Sequence, residues 1–515
     1  MKLYRPGGTV TQVKNLTQTP KRPASRWFAV SILVLAAAVL SIDATVLYLA
    51  VPALTADLRP SADQVLWIGD VYPLALAGLL IPFGNLADRI GRRRLLLIGA
   101  VGFGAASALA AFAPNAELLI FARVALGVTG AMIMPSTLSI IRDMFDDAKE
   151  RTKAVAIWTA GTSGSAALGP IIGGALLEQF WWGAVFLINV PIMLFVIIAG
   201  LIVLPESRNP NPGRFDVLSA LLSFATLVPF IWAVKRMLGE GFDLAGVFGI
   251  IGAALAAWWF IHRQRRASEA MIDVELFKSA AFSGTVLANF VAAFALAGLL
   301  FFFSQYLQLV RGMTPIIAGA AEVPATLGGI LGIAFVGWLL ARLGVGRAVA
   351  IALVVIAIGL SLVALAEQSP HYVWLALALA VLGFGVGITQ TVTTDAVVTM
   401  APKERAGSAA AISETSLELG TAFGIAVLGS VVGAWYRVGA PVPSGLNASD
   451  AAAVQGSLAQ ALSILPAGSP DADAAQLAFT HAMQLTSLTA AAVVFAVAVL
   501  VWRVVPSRST EIATP

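Results

Sequence analysis

Six carboxylates stand where hydrocarbon should surround them. Asp43, Asp70, Glu322, Asp395, Glu414 and Glu418 each fall inside a long apolar run, and only one base, Arg123, falls inside another. A charge at the centre of a bilayer costs about 2.5–3.5 kcal/mol on insertion scales, so such residues mark function by default. One arginine cannot neutralise six acids. The remainder must face water, hold a proton or meet a cation. Glu414 and Glu418 lie four apart, on one helical face. Two carboxylates so close repel one another, which suits a site that takes up and releases a proton; an exposed helix end is the bland reading for Glu414. Asp43 and Asp70 fall at similar depth and could face one cavity, as substrate or proton sites, although Asp70 is near enough to an edge to be merely solvated. Glu322, just before Pro324, could bind a cation. Asp395 sits near a helix end, where a structural role serves equally well. Arg123 should pair with an acid or a backbone carbonyl. Trp67, Tyr72, Phe301, Phe302, Phe303 and Tyr306 could stack on planar cations, while most aromatics in such a chain face lipid or the interface.

The elements that must position these residues follow from the runs themselves. Of 515 residues, 59% are hydrophobic and 12% charged, against about 25% charged in soluble domains. The runs recur at the length of about 20 residues that a helix needs to cross a bilayer. Fourteen spans are predicted, at 27–51, 66–86, 95–113, 116–141, 154–177, 182–204, 217–236, 244–262, 281–307, 316–340, 346–366, 373–399, 408–436 and 479–502. With the N-terminus in the cytoplasm, inner segments hold 26 of the 32 Lys and Arg; the outer ones hold Arg59, Lys235, Arg236, Arg311 and Arg437. That asymmetry is the positive-inside rule. It explains the basic balance without nucleic acid and puts both termini in the cytoplasm. Residues 1–26 are polar and basic, without the apolar core of a signal peptide. The segment 438–478, rich in Ala, Ser, Pro and Gly, falls outside as a small cap or a mobile loop. There is no cysteine, and His262, His371 and His481 are far apart, so no thiol chemistry or metal site is expected.

A motif joins the second and third spans: Gly84-Asn85-Leu86-Ala87-Asp88-Arg89-Ile90-Gly91-Arg92-Arg93-Arg94. Glycines permit a tight turn and close approach. Asp88 can meet Arg89, an arginine of another helix or a helix N-terminus. A basic anchor on anionic lipid would explain the arginines but neither the glycines nor the aspartate. The pattern returns as Gly337-Trp338-Leu339-Leu340-Ala341-Arg342-Leu343-Gly344-Val345-Gly346-Arg347, with Ala341 in place of the aspartate. A duplicated architecture accounts for both copies, as in transporter folds built from repeats.

These residues resemble the major facilitator superfamily, in particular its fourteen-helix drug:proton antiporters. The Gly84–Arg94 run matches that family's loop motif nearly residue for residue. Asp43-Ala44-Thr45-Val46 through Ala50-Val51-Pro52 resembles its first-helix motif, with Tyr48 where Asn is usual. Arg123 with Gly127 and Gly130 resembles the buried-arginine motif of helix four. Gly161 and the run Gly169-Pro170-Ile171-Ile172-Gly173-Gly174 resemble the helix-five motif of antiporters. Trp67–Tyr72 and Ser413–Gly420 look like pumps for quaternary ammonium compounds, ethidium and methyl viologen. The resemblance covers about 27–503. It implies an all-α membrane protein with the major facilitator fold: a six-helix bundle at 27–204, two extra helices at 217–262, a second six-helix bundle at 281–503, and cytoplasmic tails at 1–26 and 504–515. It implies a proton-relay role for Arg123 and gating by Gly169, Pro170, Gly173 and Gly174.

The expected function is proton-coupled export of hydrophobic cations such as quaternary ammonium compounds and cationic dyes, from a bacterial cytoplasmic membrane. Asp43, Asp70, Glu322, Trp67, Tyr72 and Tyr306 are the candidate substrate residues. Asp43, Arg123, Glu414 and Glu418 are the candidates for proton coupling, and Gly84, Asp88, Arg89, Gly91 and Arg92 form the structural motif. The expected partners are cationic drugs, protons and lipid. No cofactor is expected beyond the proton gradient, and the missing Gly-x-x-x-x-Gly-Lys argues against an ATPase. Export of a neutral or anionic antibiotic or metabolite is the alternative on the same fold. A membrane sensor would want a soluble effector domain, and none is legible.

Overall fold

In a bilayer every backbone N–H and C=O must be satisfied within the chain, which for apolar runs of this length means helices. The computed structural model describes residues 23–506 apart from 146, 209–215, 240, 268–270, 401–405 and 442. Most of the tails expected at 1–26 and 504–515 lies outside the described residues. The long helices are α1 (Pro23–Leu58), α2 (Ala62–Ile90), α3 (Arg92–Ala111), α4 (Ala116–Met144), α5 (Ala148–Gln179), α6 (Ala184–Val203), α7 (Val217–Gly239), α8 (Leu244–Arg266) and α9 (Ala280–Val310). The next helical stretch, Pro315–Ala366, has 52 residues, about 78 Å at 1.5 Å per residue, far more than the roughly 30 Å of hydrocarbon. It breaks at Gly344, whose φ is +72°. We number the parts α10 (315–343) and α11 (345–366). Then come α12 (Tyr372–Met400), α13 (Ser408–Gly439) and α14 (Pro470–Val504). Among the described residues thirteen helices are long and apolar enough to span, where fourteen were expected, and the longest of them is broken at Gly344.

The break exposes the repeat. Gly91, between α2 and α3, has φ +110°, and it occupies the same place in its motif as Gly344 does in the second copy. Both are left-handed positions that favour glycine. At Gly91 a Cβ would also strike the Glu206 carboxylate.

Two boundaries differ from expectation with consequences. Helix α7 runs to Gly239, so Lys235 and Arg236 belong to the helix rather than to an outer loop. Helix α14 begins at Pro470, and the segment before it is folded: short helices at Ala448–Gly456 and Leu458–Ile464 bury Val454 and Leu458. These form a cap. Gln460 Nε2 donates to the Pro60 carbonyl at 2.6 Å, and the Tyr436 hydroxyl donates to the Val454 carbonyl at 3.0 Å. The cap thus touches the end of α1 and the end of α13. We call this side the cap face and the side of the Gly84–Arg94 loop the motif face.

Helices α1–α6 pack together, as do α9–α14. The pair α7–α8 is a hairpin stapled at both ends. Arg263 Nη2 meets Asp216 at 2.9 Å, and Arg236 Nε meets Asp243 at 2.7 Å. Burial pushes the Asp216 carboxyl up, but hydrogen bonds from Arg263 and Ser219 outweigh it and hold the group below the usual carboxylate range. Helix α7 touches α2 on one side, where Phe224 faces Gly78, and α13 on the other, where Phe230 stacks on Phe423 at 5.6 Å. It therefore lies along the seam between the two halves.

Candidate functional site

The polar residues inside the helices form two buried ion pairs and a set of carboxylates with no basic partner among the described residues. The first pair is Asp43 of α1 with Arg123 of α4, Nη1 to Oδ2 at 2.7 Å; the two are 0% and 1% exposed. Further donors and acceptors surround it, although Oδ1 of the neighbouring Asn189 has no partner. Arg123 Nε donates to the Ile68 carbonyl at 3.1 Å, and Asn189 Nδ2 donates to Asp43 Oδ1 at 2.8 Å and to Ser107 Oγ at 3.2 Å. The guanidinium sits 4.5 Å from the centroid of the Tyr72 ring, the geometry of a cation–π contact. Arg123 thus has the acid and the carbonyl expected of it. Tyr72 faces Arg123, where a stacking role toward substrate was expected, and Asp43 is committed within this knot.

The second pair was not foreseen. Lys235 Nζ of α7 lies 2.7 Å from Asp70 Oδ2 of α2, with both side chains buried. The same ammonium lies 3.7 Å from the centroid of the Trp67 ring. Neither Asp70 oxygen nor Nζ makes a hydrogen bond of good geometry with anything else. Asp70 is therefore not a solvated edge residue, and Arg123 is not the sole buried base. The signal was available: Met237 and Leu238 continue the apolar run past Lys235. Asn189, a lone amide within an apolar helix, was missed in the same way.

Glu322 stands at the junction where α10 interrupts its first turns, 5% exposed, with Oε1 unpartnered. Glu414 and Glu418 share a face of α13 and are half-buried. Asp395 is exposed, toward the motif face. Tyr306 is wholly enclosed: its hydroxyl donates to the Glu367 carbonyl and accepts from Arg311 Nε at 2.7 Å. It is part of a cap-face knot, and its ring offers no open face to a substrate.

The two halves are sealed at the cap face. Beside Gly174 of α5 lie the Pro315 carbonyl and Ile316 Cα of α10, each 2.6 Å from where a Cβ would stand, and a Cβ on Gly319 would strike the Pro170 carbonyl. Gly169 and Gly173 let α5 lie against Thr45 and Val46 of α1. Phe301 of α9 packs on Gly69 of α2 and edge-on to Tyr48 at 5.6 Å. Beneath the cap is a cavity of about 270 Å³, bordered by Thr55, Asp63, Trp232, Lys235, Ser430 and Tyr436 among others. At the motif face, Arg92 is gripped by Asp88, 2.9 Å away, and by Asp143 of α4. Arg94 meets Glu206 at only 3.8 Å, and Arg89 is exposed.

Residues 33–425 match the family model described as Major Facilitator Superfamily. The multidrug efflux pump LfrA of Mycolicibacterium smegmatis is 44% identical over 501 residues, covering 95% of this chain and 98% of that one. The methyl viologen resistance protein SmvA of Salmonella typhimurium is 34% identical over 483 residues, covering 93% and 98%. Among solved structures, a bacterial homologue of the human lysosomal transporter Spinster superposes with a TM-score of 0.65 at 18% identity, covering 95% of this chain and all of that one.

Proposed function

The chain belongs to the major facilitator superfamily, and from that premise we propose that this multi-pass membrane transporter expels hydrophobic cations in exchange for protons. The relatives named for multidrug efflux and methyl viologen resistance support drug export as the task. One observation carries the choice of cargo. The two buried bases, Arg123 and Lys235, are each taken up by an aspartate, while Glu322, Glu414 and Glu418 have no base beside them among the described residues. Among the described residues buried in the helices, an anionic cargo would find no base without an acid beside it. A cation would find several carboxylates and the aromatic face of Trp67.

On this reading the cap face is external and the sealed arrangement is the state loaded from the cytoplasm. A drug cation enters from the motif face, and the half-buried pair Glu414 and Glu418 gives up a proton as the cation arrives. The halves then rock about α1, α5, α10 and α13, opening the cap-face seal and closing the motif face. Protonation from outside displaces the drug and resets the carboxylates. Arg123 holds Asp43 in place, keeping α1, α2 and α4 together as they move. Everted vesicles energised with a proton gradient test this. Addition of ethidium or methyl viologen should release protons from the lumen in step with dye uptake. Uptake that proceeds without proton movement, or with neutral drugs only, would overturn the reading.

A further inference from the structure

We propose that Lys235 is a tethered cation that fills the Asp70–Trp67 site until an organic cation with a quaternary or planar aromatic head displaces it, making Lys235 a specificity-determining residue. This deepens the cation-export reading and rests on it.

The geometry is that of an occupied binding site. A carboxylate and an aromatic face converge on one ammonium, at 2.7 Å and 3.7 Å. These are the two groups that recognise quaternary and delocalised cations. The occupant comes from α7, one of the two helices outside both six-helix bundles. The pair is also poorly satisfied for its depth. Desolvation of a buried ion pair is offset only when further hydrogen bonds complete it. Asp43–Arg123 has those bonds; Asp70 and Lys235 have none of good geometry. Exchanging one cation for another at Asp70 therefore forfeits little.

The displaced ammonium has somewhere to go. Lys235 borders the cap-side cavity, together with Asp63, Thr55, Ser430 and Tyr436. Arg236 and Arg437 also face that cavity, so Asp63 is the acid available to receive Lys235. The move would be felt at the seam. Ile231 of α7 packs with Leu74 of α2 and with Ala422 and Ala426 of α13, the helices that must part for the cap face to open. Cation arrival and release of α7 are thus one event.

The test is equilibrium binding of tetraphenylphosphonium, whose charge is fixed, to purified full-length protein. Lys235→Gln should bind it at least about tenfold more tightly than the parent protein, because a buried charge contact of this kind typically carries that much. Asp70→Asn should bind it more weakly, and Lys235→Gln made in the Asp70→Asn background should bring no gain. A parent protein that exports the cation, with a Lys235→Gln variant that binds it no more tightly, overturns the role of Lys235 and leaves the export reading standing. A parent protein that binds no cation overturns both. The unsubstituted protein gives a second readout, independent of whether the variant folds. Saturating tetraphenylphosphonium should raise acetylation of Lys235 by acetic anhydride several-fold, measured by peptide mass spectrometry. An unchanged or lower rate overturns the displacement.

Discussion

Arg92 is held by two carboxylates, whereas Arg94 reaches one at 3.8 Å and is mostly exposed. Exposed pairs contribute about 0–1 kcal/mol. Asp88→Asn should therefore cut efflux by roughly tenfold or more, since it loosens a charge-assisted grip tying α2, α3 and α4, and Arg94→Ala should change it by less than about twofold. Both rates are read by dye efflux normalised to protein in the membrane, and equal losses would return the loop to a plain lipid anchor. Glu418→Gln should abolish substrate-induced proton movement in vesicles while monocation binding survives; full retention of coupling would exclude Glu418 as the proton site. Asp43 belongs to a different class of test. Its partner Arg123 is fully buried, and removing one member of a buried pair typically costs about 3–5 kcal/mol. Asp43→Asn should accordingly lower the thermal stability of the purified protein first, and selectivity between mono- and dications only through that. The carboxylates were legible in the sequence because acids are conspicuous in apolar runs. Their pairing was not, because it joins residues 80 and 165 positions apart. Lys235 was assigned to the outside since lysines near a helix end ordinarily reach for water.

At the scale of elements, run length and glycine pattern carried the reading. The repeat was visible as two loops of like spacing, and the left-handed Gly91 and Gly344 give its structural cause. The glycines of α5 were assigned to gating by resemblance alone; here they are the places where α5 meets α1 and α10 with no room for a side chain. Backbones this close tolerate no inserted methyl groups without displacement. Gly319→Leu should hold the cap-face seal apart, since the Pro170 carbonyl occupies the space. A cysteine in place of the buried Tyr48 should then react with an impermeant maleimide from the cap side, and efflux should fall by at least about tenfold as an α5–α10 contact of this tightness is lost. Labelling that stays at the level of the Tyr48→Cys protein alone would show that the seal does not depend on that crossing. The helix ends were the least legible part. The start of α14 at Pro470 is not marked by hydropathy, and the extension of α7 is marked only by Met237 and Leu238 beyond two basic residues.

For the whole molecule the charge asymmetry makes a simple statement. With no native cysteine, Ser449→Cys, exposed on the cap, should label with an impermeant reagent in intact cells, and Arg89→Cys, exposed at the motif face, only after permeabilisation. The reverse pattern would invert the orientation and with it the direction of transport. The contact between Gln460 and the Pro60 carbonyl spans 400 residues. A ribosome adding about 5–20 residues per second needs roughly 20–80 s to cross that distance. Throughout that interval the turn between the first two helices stands without its cover, and the first bundle must hold its shape alone. The cap is therefore among the last parts to close, and a chain that stalls late in synthesis would leave the turn between α1 and α2 uncovered.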